Sequence, residues 1–226
     1  MNPTIILVKP QMGENIGAAA RAMANFGIKD LRIVAPRDGW PNPKAIEMAA
    51  NASSLIEHAK IFPTLEAAVA DLEFLYATTA RTRETDKKSI IPRQIITHEK
   101  TGFVFGAERT GLTNEEISLC DEIISIPVSE EFKSINLAQS VAIICYQIST
   151  LPPQKAEVRA QATKEELFSF FTHLETELDK RRFFQEPTKK PGMVANIRTM
   201  LTRAAFTSQE VRTMRGIIKS LSADSD

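Results

Sequence analysis

Short, continuously apolar runs alternate with amphipathic stretches over the first two-thirds of the chain. Ile5-Ile6-Leu7-Val8 reads as a buried strand. Gly13-Glu14-Asn15 introduces a helix from about Ile16 to Phe26, with Asn15 as its N-cap and Gly27 as its stop. Leu31 to Ala35 is a second strand and Pro36 to Pro43 a loop. Lys44 to Asn51 and Ser53 to His58 are helical, and Ile61-Phe62 is a short strand before a helix from Leu65 to Ala70. Phe74 to Thr78, Phe103 to Phe105 and Ile123 to Val128 are further strands, the last two breaking into polar loops. Strand and helix alternating through short links predict βαβ crossovers, hence an α/β fold with a mostly parallel sheet and helices on both faces. Residues 81–100 form a longer, basic, Pro-containing connection, a kind of loop more often functional than idle.

The pattern changes after Asn136. An apolar helix runs to about Ile148, and Leu151-Pro152-Pro153 ends it, marking a boundary between a domain of residues 1–153 and a helical extension of residues 154–226. In the extension, Thr163 to Arg182 is an amphipathic helix with a Thr163/Glu166 capping box. Val194 to Ala205 and Ser208 to Leu221 follow as helices, with Ser208 read as a cap.

Composition adds mainly exclusions. At 226 residues, 43% hydrophobic and 25% charged, the chain has an ordinary soluble make-up. No run of eighteen apolar residues occurs, and Met1-Asn2-Pro3-Thr4 lacks a basic n-region, so neither a membrane span nor a signal peptide is expected and the cytoplasm is the expected location. Cys120 and Cys145 sit in apolar, helical-looking contexts and read as buried free thiols. Three scattered histidines offer no ligand spacing, so no metal is expected. Charge balances overall but not locally: residues 1–150 carry a net of −3 and residues 151–226 a net of +3. Seven basic residues between Lys180 and Arg203 face one acid, Glu186, which suggests either a polyanion contact or a solvated face.

Three segments carry the candidate chemistry. Asn15-Ile16-Gly17-Ala18-Ala19-Ala20-Arg21 fits N-x-G-x-x-x-R, and Phe105 to Leu112 fits F-G-x-E-x-x-G-L. Ile126-Pro127 followed by Ser134-Ile135-Asn136-Leu137 fits I-P…S-x-N-L. Each lies at a predicted element junction, where loops after parallel strands can aim backbone groups at a ligand. In this order the segments resemble the SpoU/TrmH branch of the SPOUT RNA methyltransferases, and within it the TrmJ-like tRNA/rRNA 2'-O-methyltransferases, over about residues 3–150. The resemblance implies a trefoil knot in the α/β domain, a homodimer, S-adenosyl-L-methionine as cofactor and RNA as substrate. It further implies methylation of tRNA in the anticodon loop, at nucleotide 32, on C or U. One departure is the loop Val128-Ser129-Glu130-Glu131-Phe132, where many relatives carry a glycine after the Ile-Pro.

By the same resemblance, cofactor-binding positions are Thr78, Thr79, Ala80, Gly106, Glu108, Gly111, Ile126, Ser134 and Leu137, and catalytic ones are Asn15, Arg21, Ser134 and Asn136. Read from the residues alone, Gly106 and Gly111 are equally at home in a tight turn, and Ser134 and Asn136 as caps. Glu108 either bonds backbone amides of a neighbouring loop or is an ordinary surface carboxylate. Arg21 lies at about 140° from Ile16 on a helical wheel, off the apolar stripe, as a solvated arginine would. The resemblance instead makes it the arginine that reaches the partner subunit's active site. Arg81, Arg83, Lys87, Lys88, Lys180, Arg181 and Arg182 are the candidate RNA contacts, and Phe183 and Phe184 either stack on bases or pack with their helix against the domain of residues 1–153. A G-x-G-x-x-G after the first strand and a Walker A motif are both missing from the sequence. The competing readings are an RNA-binding protein of this fold without catalysis, rRNA rather than tRNA as the substrate, and an unrelated α/β enzyme.

Overall fold

The computed structural model describes residues 3–79, 87–96, 98–132, 134–152 and 160–223. Seven strands are described: β1 (Thr4–Val8), β2 (Asp30–Val34), β3 (Lys60–Phe62), β4 (Phe74–Thr78), β5 (Ser89–Ile90), β6 (Thr101–Phe105) and β7 (Glu122–Ile124). They form one sheet in the order β3-β2-β1-β6-β4-β7-β5, and every pairing is parallel. β6 is laid between β1 and β4, and β7 between β4 and β5, so late strands fill gaps left by earlier ones. The central strands are apolar on both faces and fully buried, as a covered parallel sheet requires.

The helices are α1 (Gly13–Asn25), α2 (Pro43–Ala49), α3 (Ser53–Glu57), α4 (Leu65–Val69), α5 (Asn114–Ser118), α6 (Leu137–Ser149), α7 (Lys164–Lys180), α8 (Lys190–Thr202) and α9 (Ser208–Ser222). One face of the sheet packs against α1, α2, α3 and α6, through Ile16, Met23, Val141 and Ile144. The other packs against α4 and α5, and Phe168 of α7 lies against that layer. A third cluster joins Leu167, Phe170 and Phe171 of α7 to Val211 and Ile218 of α9.

Several expectations are corrected. Asn15 is not a cap: α1 starts two residues earlier, with Met12 as its N-cap and no side-chain cap bond. Thr207, not Ser208, caps α9, and Ser208 Oγ instead donates to Glu166 Oε2 of α7 at 2.7 Å. Part of the expected 81–100 loop builds the edge strand β5, which is too short to show a period. α5, a helix of five residues, also lacked a visible period, and its Thr113/Glu116 capping box was its only signal. Cys120 lies in the turn after α5 rather than in a helix.

The extension is fastened to the sheet at the end opposite the strands' carboxyl termini. The Lys164 and Glu165 amides donate to Leu72 and Ala70 carbonyls at 2.8 and 2.9 Å. Lys164 Nζ reaches both oxygens of Asp121, at 2.8 and 2.7 Å, where the two side chains are 1% and 8% exposed.

Candidate active site

Three neighbouring strands, β6, β4 and β7, end on one side of a cleft of about 630 Å³. Thr78 and Thr79 close β4, Gly106 to Gly111 follow β6, and Ile126 follows β7; Ser134 and Leu137, at the start of α6, complete the wall. All the expected cofactor positions except Ala80 therefore line a single cavity; Ala80 lies outside the described residues.

The loop after β6 is a tight turn. The Gly111 amide donates to the Ala107 carbonyl at 2.7 Å, and Gly111 sits at φ +66°, where a side chain would be strained. Gly106 is needed for closeness: a Cβ there would lie 2.2 Å from both Gly111 C and Leu112 N, which are backbone atoms. Overpacking of this kind costs about 1–3 kcal/mol, roughly 5- to 150-fold in an equilibrium constant. Gly106→Ala should accordingly weaken binding of the cleft's ligand by about 5- to 150-fold. The change should be visible by calorimetry while the circular dichroism stays native.

Glu108 organises the region beside the cleft. Its carboxylate accepts the Gln11 and Met12 amides at 2.8 and 3.3 Å and Asn15 Nδ2 at 2.8 Å. Asn15 Oδ1 in turn accepts from Asn136 Nδ2 at 2.9 Å, and Asn136 Oδ1 caps α6 by accepting the Ala138 amide at 2.8 Å. Starting α1 at Gly13 is what makes this chain possible, because Asn15 then sits in the first turn with its amide free to bridge. The β1–α1 loop is held a second time by Lys9 Nζ donating to Glu116 Oε1 of α5 at 2.8 Å. The three motif segments are thus one hydrogen-bonded unit.

The comparisons with known proteins agree. The model of the SpoU rRNA methylase family matches residues 2–146, and that of the C-terminal domain of the tRNA methyltransferase TrmJ matches residues 165–226. The chain belongs to the SpoU methylase family, in its TrmJ branch. The uncharacterized tRNA/rRNA methyltransferase LasT of Escherichia coli K12 is 40% identical, with 74% of this chain and 76% of that protein covered. The tRNA (cytidine/uridine-2'-O-)-methyltransferase TrmJ of Cronobacter sakazakii is 35% identical, with 97% and 96% covered. Among solved structures, TrmJ from Z. mobilis ZM4 superposes with a TM-score of 0.93 at 43% identity, covering 98% of this chain and 99% of that one.

In this SpoU methylase, Arg21 is exposed on α1 and is not among the residues lining the cleft. Arg81 and Arg83 lie outside the described residues. Lys87 does not fit the role of an RNA contact: it is 5% exposed, and its ammonium donates to the Cys120 carbonyl beneath the sheet. Burial lowers its pKa, with nearby Cys120 and Asp121 opposing that shift. Lys88 is on the surface, paired with Glu122 at 2.8 Å. Lys180 and Arg181 both engage Glu177, at 2.7 and 2.8 Å. Bonds from Lys180, Ser222 and Arg181 hold that carboxyl down to about 2. The basic run from Lys180 to Arg203 looked uncompensated because its counter-charges precede it: Glu175, Glu177 and Asp179 on α7 pair with Arg198, Lys180, Arg181 and Lys190. Arg182 is exposed and makes no ion pair among the described residues. Phe183 and Phe184 meet edge to face at 5.3 Å, and Lys190 Nζ sits 5.3 Å above the Phe184 ring, rather than packing on the sheet domain.

Arg109, Ile135 and Ser140 also line the cleft and were not picked out from the sequence. Arg109 was visible only as a variable position inside F-G-x-E-x-x-G-L. Cys120 and Cys145 are buried, and burial pushes both thiols up to about 12. Neither can supply the thiolate that methylation at a pyrimidine carbon would call for.

Proposed function

We propose that this chain transfers a methyl group from S-adenosyl-L-methionine to a ribose 2'-hydroxyl of tRNA, working as a homodimer. The observation that carries the reading is the convergence of the loops after β4, β6 and β7 on one cleft, with the Asn15 segment bonded beside it. Thr78 Oγ1, at its edge, is buried without a hydrogen-bond partner among the described residues. An orphaned hydroxyl beside apolar Ile126 and Leu137 and the backbone-lined Gly106–Gly111 turn suits a ligand with a flat heteroaromatic ring and a polar ribose. When bound, the cofactor supplies a methyl on a positively charged sulfur, so no metal and no covalent protein intermediate are required.

The protein's part is positioning. Glu108, Asn15 and Asn136 fix the start of α1 against the cleft, and Ser134 offers a hydroxyl at the cleft wall. In-line attack by the ribose oxygen gains much of its rate from such placement. Arg21, supplied by the other protomer, holds the adjoining phosphate and stabilises negative charge growing on the 2'-oxygen. Support for the dimer comes from the outer face of α1 and α6, which pack together and leave Arg21, Ile143 and Tyr146 exposed. The late insertion of β6 and β7 supports the knotted path expected for residues 1–153. The two matched ranges, 2–146 and 165–226, support the division from the 154–226 extension. Tritiated S-adenosyl-L-methionine and tRNA from a strain lacking the gene should yield label on ribose at a pyrimidine of the anticodon loop. Label on rRNA alone, or cofactor binding without transfer, would overturn the proposal.

A further inference from the structure

The loop from Pro127 to Phe132 joins two cleft-lining residues, Ile126 and Ser134, and all six of its residues are exposed. Its bonds are its own: the Glu131 amide donates to Ser129 Oγ at 3.2 Å and the Phe132 amide to the Ser129 carbonyl at 3.3 Å. The Phe132 ring is 75% exposed, more than any other phenylalanine described. Two residues from Ser134, its backbone is within about 7 Å of the cleft wall. An aromatic ring left in water beside a cleft is a surface awaiting a partner.

We infer that Phe132 stacks on an unpaired nucleobase of the RNA substrate at the mouth of the cleft. The inference rests on the proposal that RNA is the substrate and adds how it is gripped. Charge selects the part of the RNA. Glu130 and Glu131 precede Phe132 and Lys133 follows it, a net of one negative charge in the sequence around the ring, so the neutral face of a base suits this rim better than the backbone does. Arg109, exposed and on the cleft wall, offers the charge a phosphate needs. An aromatic platform that accepts any base also fits an enzyme reading a single-stranded loop by shape.

The test compares Phe132→Ala, Phe132→Leu and Phe132→Trp in the full-length protein, with unfractionated tRNA from a strain lacking the gene as the probe. Filter binding gives the tRNA Kd, methyl transfer gives KM and kcat, calorimetry gives the cofactor Kd, and sedimentation gives the assembly state. Loss of one stacked base should raise the tRNA Kd and KM roughly tenfold in both the alanine and leucine variants. Tryptophan should restore them, with cofactor Kd and assembly state unchanged throughout. A leucine variant equal to wild type would show plain apolar contact and overturn stacking. Weakened cofactor binding would make Phe132 a cover for the cofactor, and dissociation into monomers would make it an interface residue; either overturns the inference. Wild-type protein that binds tRNA without methylating it would fail the functional proposal instead, and the binding comparison would still decide the role of Phe132.

Discussion

Replacing Arg21 with alanine should lower turnover by about 100- to 1000-fold, the range seen when one preorganised donor to a developing oxyanion is removed. Cofactor affinity should stay at the wild-type value, because the role proposed for Arg21 is to hold the RNA phosphate and the 2'-oxygen, not the cofactor. The substitution is cheap structurally: Arg21 is exposed on α1, and alanine is the best helix former. A mixed-protomer experiment separates action within a subunit from action across the dimer. Gly106→Ala protein has a damaged cleft and an intact Arg21; Arg21→Ala protein has the reverse. If the guanidinium serves the neighbouring cleft, mixing the two and allowing exchange should regenerate activity in heterodimers, where one intact cleft faces one intact arginine. If it serves its own cleft, no heterodimer has both, and at low S-adenosyl-L-methionine the mixture shows no more than the averaged activity of the two variants. Recovery of the mixture is the measurement that decides.

The sheet could be read from the chain because buried parallel strands are apolar on both faces. Ile5 to Val8 and Phe74 to Thr78 announce themselves without any tertiary information. Strand order could not be read, since nothing local in β6 says that it lies between β1 and β4. Most cleft positions were visible in two of the motif segments, but their joining to the third through Glu108, Asn15 and Asn136 was not. A bond between residues 93 or 121 positions apart leaves no periodic trace. Gly17 shows the same gap on a smaller scale. In the sequence it is one letter of a pattern, whereas in the fold a Cβ there would lie 2.3 Å from the Ala45 carbonyl, so it sets how closely α2 rides on α1. Charge counting overstated the free positive charge in two places. Lys87 counted as surface charge but is buried, and the basic run from Lys180 is compensated by Glu175, Glu177 and Asp179, which lie just before it on α7.

Lys164→Met should destabilise the protein by about 3–5 kcal/mol, the usual cost of removing one partner from a buried ion pair. The cost arises on the other side of the pair. Asp121 Oδ2 also accepts the Leu75 amide at 2.7 Å, so the carboxylate is fixed in place and would lose its directly bonded ammonium, with only the nearby Lys87 left as a cation. For a chain of this size that corresponds to a fall in Tm of roughly 10 °C. Adding Asp121→Asn should recover most of the loss, because the amide oxygen can still accept from Leu75 while the stranded charge disappears. Urea unfolding of the two singles and the double closes the cycle, and a double variant no more stable than Lys164→Met would refute the account. The same pair decides how the extension communicates with the cleft. Leu75 lies in β4, the strand that ends at Thr78, so α7 is anchored to the foot of the strand whose far end meets the cleft. Fixed at that foot, the helical extension stays in a set position relative to the cleft, so an RNA gripped by both is gripped in one register. Loosening it through Lys164→Met should therefore raise the KM for tRNA at temperatures where the variant remains folded, and leave the cofactor Kd as it was.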